Sequence, residues 1–329
     1  MDQGARFPRV PAKAGHYESF YVKACQPGGG RGIWIRHTVH KRPSAEAKAS
    51  IWFTLFDRAA DGPRATKLTV PAEKLSAPVG SWIRVDRAEI GPGKASGSIE
   101  TEALRANWDL TFAGDAEPCK YLPSDRLYET RLPKTKFVAP FPDARFDGRF
   151  ELDGEAIELD GWPGMIGHNW GSEHAERWVW LEGTGFGGED GTYFDAGAAR
   201  VKVGRWTTPW LPSGMLMLDG EAHRLGGFGQ IRSASIEAEP TVCEFVLPGK
   251  DIVVRGRVSA PKKDFVGWVY ADPDGPEHNT VNCSVSDLEL TVERPAQPSR
   301  QLKLSAGAAY EFGMRETDHG IPIQPYPDG

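Results

Sequence analysis

Apolar and polar positions alternate with a period of two in short runs along most of this chain, and stretches with helical spacing are hard to find. Runs rich in Val, Ile, Thr, Trp, Phe and Tyr, bounded by Gly, Pro, Asp and Asn, predict strands over 17–24, 33–40, 49–57, 80–88, 97–103, 106–113, 146–152, 177–186, 192–203, 213–218, 241–247, 251–259, 265–271 and 284–293. Asp61-Gly62-Pro63, Asp153-Gly154 and Asp219-Gly220 supply hairpin turns, because Asp-Gly tolerates the positive φ that tight reversals require. Pro71 to Leu75 offers one short helical turn, and the tail from Gly320 reads as extended. The expected architecture is all-β, an antiparallel sandwich or barrel.

A boundary is expected between residues 118 and 145, where five prolines and little alternation suit a semi-rigid connector. It divides the chain into a β domain over 1–118, a connector over 119–145 and a second β domain over 146–329. Each half opens with a Trp-rich hairpin, Trp34 with Trp52 and Trp178-Val179-Trp180 with Tyr193-Phe194, and closes with an alternating strand, which points to a duplicated barrel.

With 39 Lys and Arg against 45 Asp and Glu, the formal net charge is −6, which offers no footprint for nucleic acid or an anionic membrane. No apolar run is long enough for a spanning helix and the first residues lack the features of a secretory signal. Cys25, Cys119, Cys243 and Cys283 are far apart and read as reduced thiols in a cytoplasmic protein. The expectation is therefore a soluble chain without an integral membrane segment; its oligomeric state is not legible.

Residues 164–182 hold the densest chemistry, with three Trp, two His and three Glu. If 177–182 is a strand, Trp178, Trp180 and Glu182 share one face. Indole faces stabilise developing positive charge, and a carboxyl among apolar groups has its pKa raised and can act as an acid. The same residues also suit core packing, with His168, Glu173 and His174 as turn groups at a hairpin mouth. A second patch runs from Phe265 to Ser286, where the turn Asp272-Pro273-Asp274-Gly275 pairs Trp268 and Tyr270 back towards His278, Asn279 and Asn282. Glycine clusters at 28–30 and 226–229 lack the helix or the Lys and Ser of phosphate loops, and no H-E-x-x-H or G-x-S-x-G occurs. His168, Glu173, His174 and His278 lack metal-ligand spacing, so neither metal nor cofactor is expected.

At Gly-His-Asn-Trp-Gly (167–171), followed by Trp178-Val179-Trp180 and by Asn282-Cys283-Ser284, the chain resembles the lipocalin-like family of carotenoid hydratases, AttH-type proteins, tocopherol-cyclase-like proteins and decalin-forming pericyclases. The resemblance spans most of the chain. It implies two consecutive lipocalin-like antiparallel barrels, a ligand pocket in or between them, and isoprenoid, lipid or polyketide substrates. His168, Asn169 and Trp170 carry over as pocket residues. Glu173, Glu182 and Asp195 are added from strand geometry and chemistry.

The expected function is cofactor-independent, acid-initiated hydration, isomerisation or cyclisation of a large apolar substrate. His168, Glu182 and Glu173 are its catalytic candidates. Asn169, Trp170, Trp178, Trp180, Asp195, Trp268, His278 and Asn282 are its binding residues. The alternative is a non-catalytic carrier of a hydrophobic small molecule, which needs the pocket but no poised acid; a structural partner of a transporter follows from the resemblance alone. On the catalytic reading, Glu182→Gln removes turnover and leaves the unfolding midpoint nearly unchanged.

Overall fold

The computed structural model describes residues 3–187 and 191–327. Nearly all regular structure is antiparallel β, with only short 3-10 turns such as Ala72–Lys74 between strands. Two curled sheets dominate. In the first, the strands run in space as Arg64–Pro71, Ala47–Asp57, Arg31–Lys41, His16–Cys25, Glu155–Gly171, Thr135–Leu152, Arg105–Ala113, Lys94–Glu100 and then short strands to Leu75–Ser76. A hydrogen bond of 2.8 Å between the hydroxyls of Thr66 and Thr101 draws the first of these towards the turn beyond Lys94–Glu100. The second sheet orders Glu221–Gly226, Leu211–Leu218, Tyr193–Arg200, Arg177–Thr184, Arg300–Met314, Glu277–Glu293, Val253–Ser259, Val242–Pro248 and Ser235–Glu239. A β-bridge from Leu225 to Gly249 draws its ends together. The expected pair of barrel-like folds is present.

The chain passes between the sheets at residues 172–176 rather than within 118–145. Residues 135–145, expected as connector, belong to the strand Thr135–Leu152. Pro140 and Pro142 lack ladder donors, and the register slips there, between Val138 and Phe141 and between Phe141 and Ala144. Glu155–Gly171 is likewise a full strand that glycines at 161, 164, 167 and 171 conceal from a period-two reading.

Burial distinguishes two kinds of strand. Arg105–Ala113 alternates buried and exposed, as expected of a sheet with one wet face. His16–Cys25 is buried along its whole length, as are the central parts of Arg31–Lys41 and Ala47–Asp57. One face of these strands packs Phe20, Val22, Ile33, Ile35, Ile51 and Phe53 into the first barrel. The other carries Tyr21, Trp34 and Trp52 into a cluster shared with Trp180, Trp268 and Tyr270 of the second sheet. Residues 280–286 and 306–314 are continuously buried on the facing side. A closed layer therefore lies between the sheets, floored by rings that meet edge to face: Trp52 and Trp268 centroids are 4.9 Å apart, and Tyr21 and Trp180 5.4 Å. Such pairs add about 0.5–1.5 kcal/mol each beyond area burial.

Close approach dictates one residue of the Gly-His-Asn-Trp-Gly stretch: the Tyr21 ring lies directly across the Cα of Gly167, leaving no room for a Cβ. Gly167→Ala is expected to destabilise the fold by about 1–3 kcal/mol through overpacking. Urea denaturation would check this, and an unchanged midpoint would show that the ring and strand part freely.

Candidate active site

The strand Arg177–Thr184 turns Trp178, Trp180 and Glu182 onto one face, as the alternation predicts, and that face meets the first sheet. Tyr193–Arg200 pairs beside it with Glu182 opposite Asp195, placing both carboxyl groups in the same layer. Glu182 meets Lys23 of the first sheet at 2.7 Å, with both side chains fully buried. The Lys23 ammonium also donates to the Gly307 carbonyl at 2.7 Å. Burial pushes the Glu182 carboxyl up and Lys23 opposes it; the pair is net neutral, an ion pair rather than a lone acid.

Asp195 is different. The Tyr121 hydroxyl and the Trp180 indole N–H both donate to its Oδ1, at 2.6 and 3.0 Å. Its Oδ2 is buried and has no hydrogen-bond partner. Burial, with a smaller contribution from the neighbouring Glu182 charge, raises its pKa to about 7 against these two donors. One oxygen is thus held rigidly while the other is unengaged, on a carboxyl poised between its two protonation states near neutral pH.

Around it stand Tyr21, Phe137 and Tyr121, with Tyr121 and Phe137 edge to face at 4.5 Å. The Tyr21 hydroxyl lies within electrostatic reach of Asp195, Glu311 and Arg36. Arg36 is buried without a carboxylate, its guanidinium 4.2 Å from the Tyr270 ring centroid and 5.3 Å from that of Trp52. Its Nε and Nη1 have no hydrogen-bond partner. Glu311 is fully engaged, accepting from Trp178 Nε1 at 2.8 Å, the Tyr270 hydroxyl at 3.0 Å and Asn282 Nδ2 at 3.3 Å.

Of the residues expected from sequence, Asn169, Trp178, Trp180, Glu182, Asp195, Trp268, His278 and Asn282 face this layer. His168 and Trp170 do not. Side chains alternate along Glu155–Gly171, so only Asn169 of the Gly-His-Asn-Trp stretch points between the sheets, where it accepts from the Ser19 hydroxyl. His168 points into the first barrel, stacked between Phe20 and Trp170 at 3.8 and 4.5 Å, with Nε2 2.8 Å from Glu18. Glu18 also accepts the backbone N–H groups of Arg6 and Phe7 at 2.8 and 2.7 Å, and Arg6 covers Trp170 at 5.0 Å. Burial pushes Glu18 up, but hydrogen bonds from His16 and His168 outweigh it and hold its pKa near 2. Burial holds His168 below its ordinary value, so the expected histidinium donor is a neutral imidazole that ties the N-terminal segment to the barrel. Glu173 is exposed and pairs with Lys134 at the surface. Trp178 and Trp180, expected to line an apolar cavity, stand among other rings of the layer, Trp178 stacked with His174 and Tyr270 and Trp180 edge to face with Tyr21.

Lys23, Arg36, Tyr121 and Glu311 went unseen in the sequence. The available signal was a lone charge in an otherwise apolar strand, Tyr-Val-Lys-Ala-Cys or Ile-Trp-Ile-Arg-His, which alternation alone assigns to a wet face.

No family model matches the chain. An uncharacterized protein of Mycobacterium tuberculosis, found in two strains, is 23% identical over 292 residues, covering 88% of this chain and 85% of its own. Among solved structures, an AttH-like protein from Nitrosomonas europaea aligns with a TM-score of 0.54 at 14% identity, over 95% of this chain and 97% of its own. Kievitone hydratase from Nectria haematococca aligns with a TM-score of 0.51 at 10% identity, over 93% and 90%. The two-barrel fold is therefore that of the AttH-like and kievitone hydratase structures. No helix among the described residues is long and apolar enough to cross a membrane.

Two outcomes follow for stability. The raised pKa of Asp195 means the folded state keeps this proton while the unfolded chain releases it, so its contribution to stability falls as pH rises from about 4 to about 7 and then levels. Asp195→Asn should flatten unfolding free energy across that window, measured by denaturant titration at several pH values; an unaltered slope would show that Asp195 does not titrate there. Glu182→Gln, expected from sequence to be neutral for folding, leaves the Lys23 ammonium buried without a counter-charge and should cost about 3–5 kcal/mol. Adding Lys23→Met should recover most of it, and a single variant as stable as wild type would refute the charged pair.

Proposed function

We propose that this chain is a hydratase-type enzyme whose proton donor is Asp195, acting on a largely apolar small molecule held at the Tyr21, Tyr121, Phe137 and Trp180 rings. The observation that carries the reading is the unengaged, buried Oδ2 of a carboxyl whose pKa lies at about 7. Asp195 delivers its proton to one carbon of a double bond, and the cation formed at the other carbon is stabilised by the faces of Trp180 and Tyr21. Water adds to that cation and returns a proton to the Asp195 carboxylate, so the acid is regenerated and no cofactor is consumed. Isomerisation or cyclisation begins with the same transfer and differs in what quenches the cation. The Arg36 N–H groups can hold a carbonyl or hydroxyl oxygen of the substrate and fix its orientation.

Glu182, first expected as the acid, is here the counter-charge of Lys23 and adds only a minor contribution to the burial that keeps Asp195 protonated. The likeness to kievitone hydratase supports a fold able to host hydration. A binding protein for an apolar small molecule needs no poised carboxyl, which is why Asp195 favours the enzyme. The buried, unpaired state of all four cysteines supports a cytoplasmic setting.

The substrate class is found by native mass spectrometry and solvent extraction of freshly purified protein. With that compound, Asp195→Asn should lower turnover about a hundredfold to ten-thousandfold while retaining binding, read from Trp fluorescence. Activity should fall as pH rises through about 7, since the donor must be protonated. Wild-type turnover by Asp195→Asn would exclude the acid; binding with no turnover by the wild-type protein would make the carrier the correct reading.

A further inference from the structure

We propose that His174, Asp272 and His278 form a binding site for a single divalent transition-metal ion of the zinc class. The site lies beside Trp178, and its test does not depend on the acid chemistry assigned to Asp195.

The three residues come from separate segments. His174 sits in the passage between the sheets, Asp272 in the turn after Val266–Ala271, and His278 at the start of Glu277–Glu293. One potential ligand atom from each lies within 4.8 Å of the others. Asp272 Oδ1 is 2.6 Å from the His174 backbone N and 2.7 Å from its Nδ1, so this carboxylate already fixes the position of the His174 segment.

The second observation concerns His278. It is fully buried, yet neither ring nitrogen has a hydrogen-bond partner, and the Nε2 of His174 is also buried without one. Buried imidazole nitrogens are normally satisfied, and leaving several orphaned in one cluster costs free energy that a shared ligand removes. The rings stand 5.8 Å apart and edge to face, and Trp178 lies against both, at 5.5 Å from His174 and 5.2 Å from His278.

Donor chemistry selects the ion. Two imidazoles and one carboxylate suit Zn²⁺ and its neighbours Co²⁺ and Ni²⁺ and disfavour Ca²⁺ and Mg²⁺, which take oxygen ligands. Donor atoms around a tetrahedral zinc sit roughly 3.3 Å apart, given Zn–N and Zn–O distances near 2 Å, so closure requires side-chain rotation of about an ångström rather than a new backbone path. Three protein donors leave a fourth position for water or an anion. Arg315 stands nearby but is occupied by Glu176, at 2.9 and 2.7 Å.

The test uses the full chain without a polyhistidine tag, stripped with EDTA and dialysed. Zn²⁺ titration by calorimetry should show one equivalent per chain with a dissociation constant in the micromolar range or tighter and a rise in melting temperature. Co²⁺ should give the visible absorption of a tetrahedral N/O site and quench part of the Trp emission. His174→Ala and His278→Ala should each weaken Zn²⁺ binding at least tenfold, while His223→Ala, at a half-buried histidine outside the cluster, leaves it intact. Circular dichroism establishes that the variants fold; should His278→Ala fail, the His174 position, in the passage between the sheets, still decides. Absence of stoichiometric binding by the wild-type chain, or binding undiminished in His174→Ala, would overturn the site.

Discussion

Lys23 and Glu182 meet at 2.7 Å with neither side chain reaching water, one on each sheet. A buried ammonium is tolerable only with its counter-charge and its carbonyl partner Gly307 in place, and both come from the second sheet. The first sheet cannot bury Lys23 alone. His16–Cys25 carries the same constraint along its length, since its outward face bears Tyr17, Ser19, Tyr21, Lys23 and Cys25, all buried. The two barrels therefore behave as one cooperative unit, and the layer between them is the part of the molecule where polar groups are held away from water at high energetic stake.

That constraint explains what was legible in the sequence. Strands with one wet face, such as Arg105–Ala113, announce themselves by alternation. So does the shared face of Trp178, Trp180 and Glu182. The doubly buried His16–Cys25 and Arg31–Lys41 were legible as strands over 17–24 and 33–40, but not as buried on both faces, because their layer-facing residues include Lys23 and Arg36, whose types signal solvent. The first part of Thr135–Leu152, ahead of the predicted 146–152, was hidden by bulges at its prolines, and Arg300–Met314 by the small residues Ser305 to Ala309, which allow close approach but carry little hydropathy. Asp195 was visible as a carboxylate beside Glu182 only through strand pairing. Its donors Trp180 and Tyr121 lie 15 and 74 residues away in sequence, and no local spacing reports the longer of these links.

The Gly-His-Asn-Trp-Gly stretch illustrates how a motif can mark architecture rather than chemistry. Gly167 makes room for the Tyr21 ring, His168 completes the Glu18 knot that pins Arg6 and Phe7, Asn169 ties two strands through Ser19, and Trp170 lies beneath Arg6. Each role is to hold the wall against which the layer is built. The pattern is consistent with a fold shared by proteins of low identity, since a wall can be kept while the groups facing across it change.

Polar groups in the layer are divided by whether their demands are met. Glu311 has three donors and Glu182 has its lysine, so both serve as fixed points. Asp195 has one oxygen satisfied and one not, Arg36 has two unengaged nitrogens, and His278 has both ring nitrogens unengaged. A close-packed protein interior normally satisfies such groups, and each orphan calls for an explanation such as a bound water, an ion, a substrate or a catalytic role. Three of the orphaned groups carry distinct chemistry: a carboxyl whose proton is at issue near neutral pH, a guanidinium that offers N–H donors, and a pair of imidazoles beside a carboxylate. Unmet valence alone does not single these groups out, since Glu182 Oε1, Asn282 Oδ1 and the Thr280, Ser284 and Ser286 hydroxyls share it; their chemistry is what makes them the candidates.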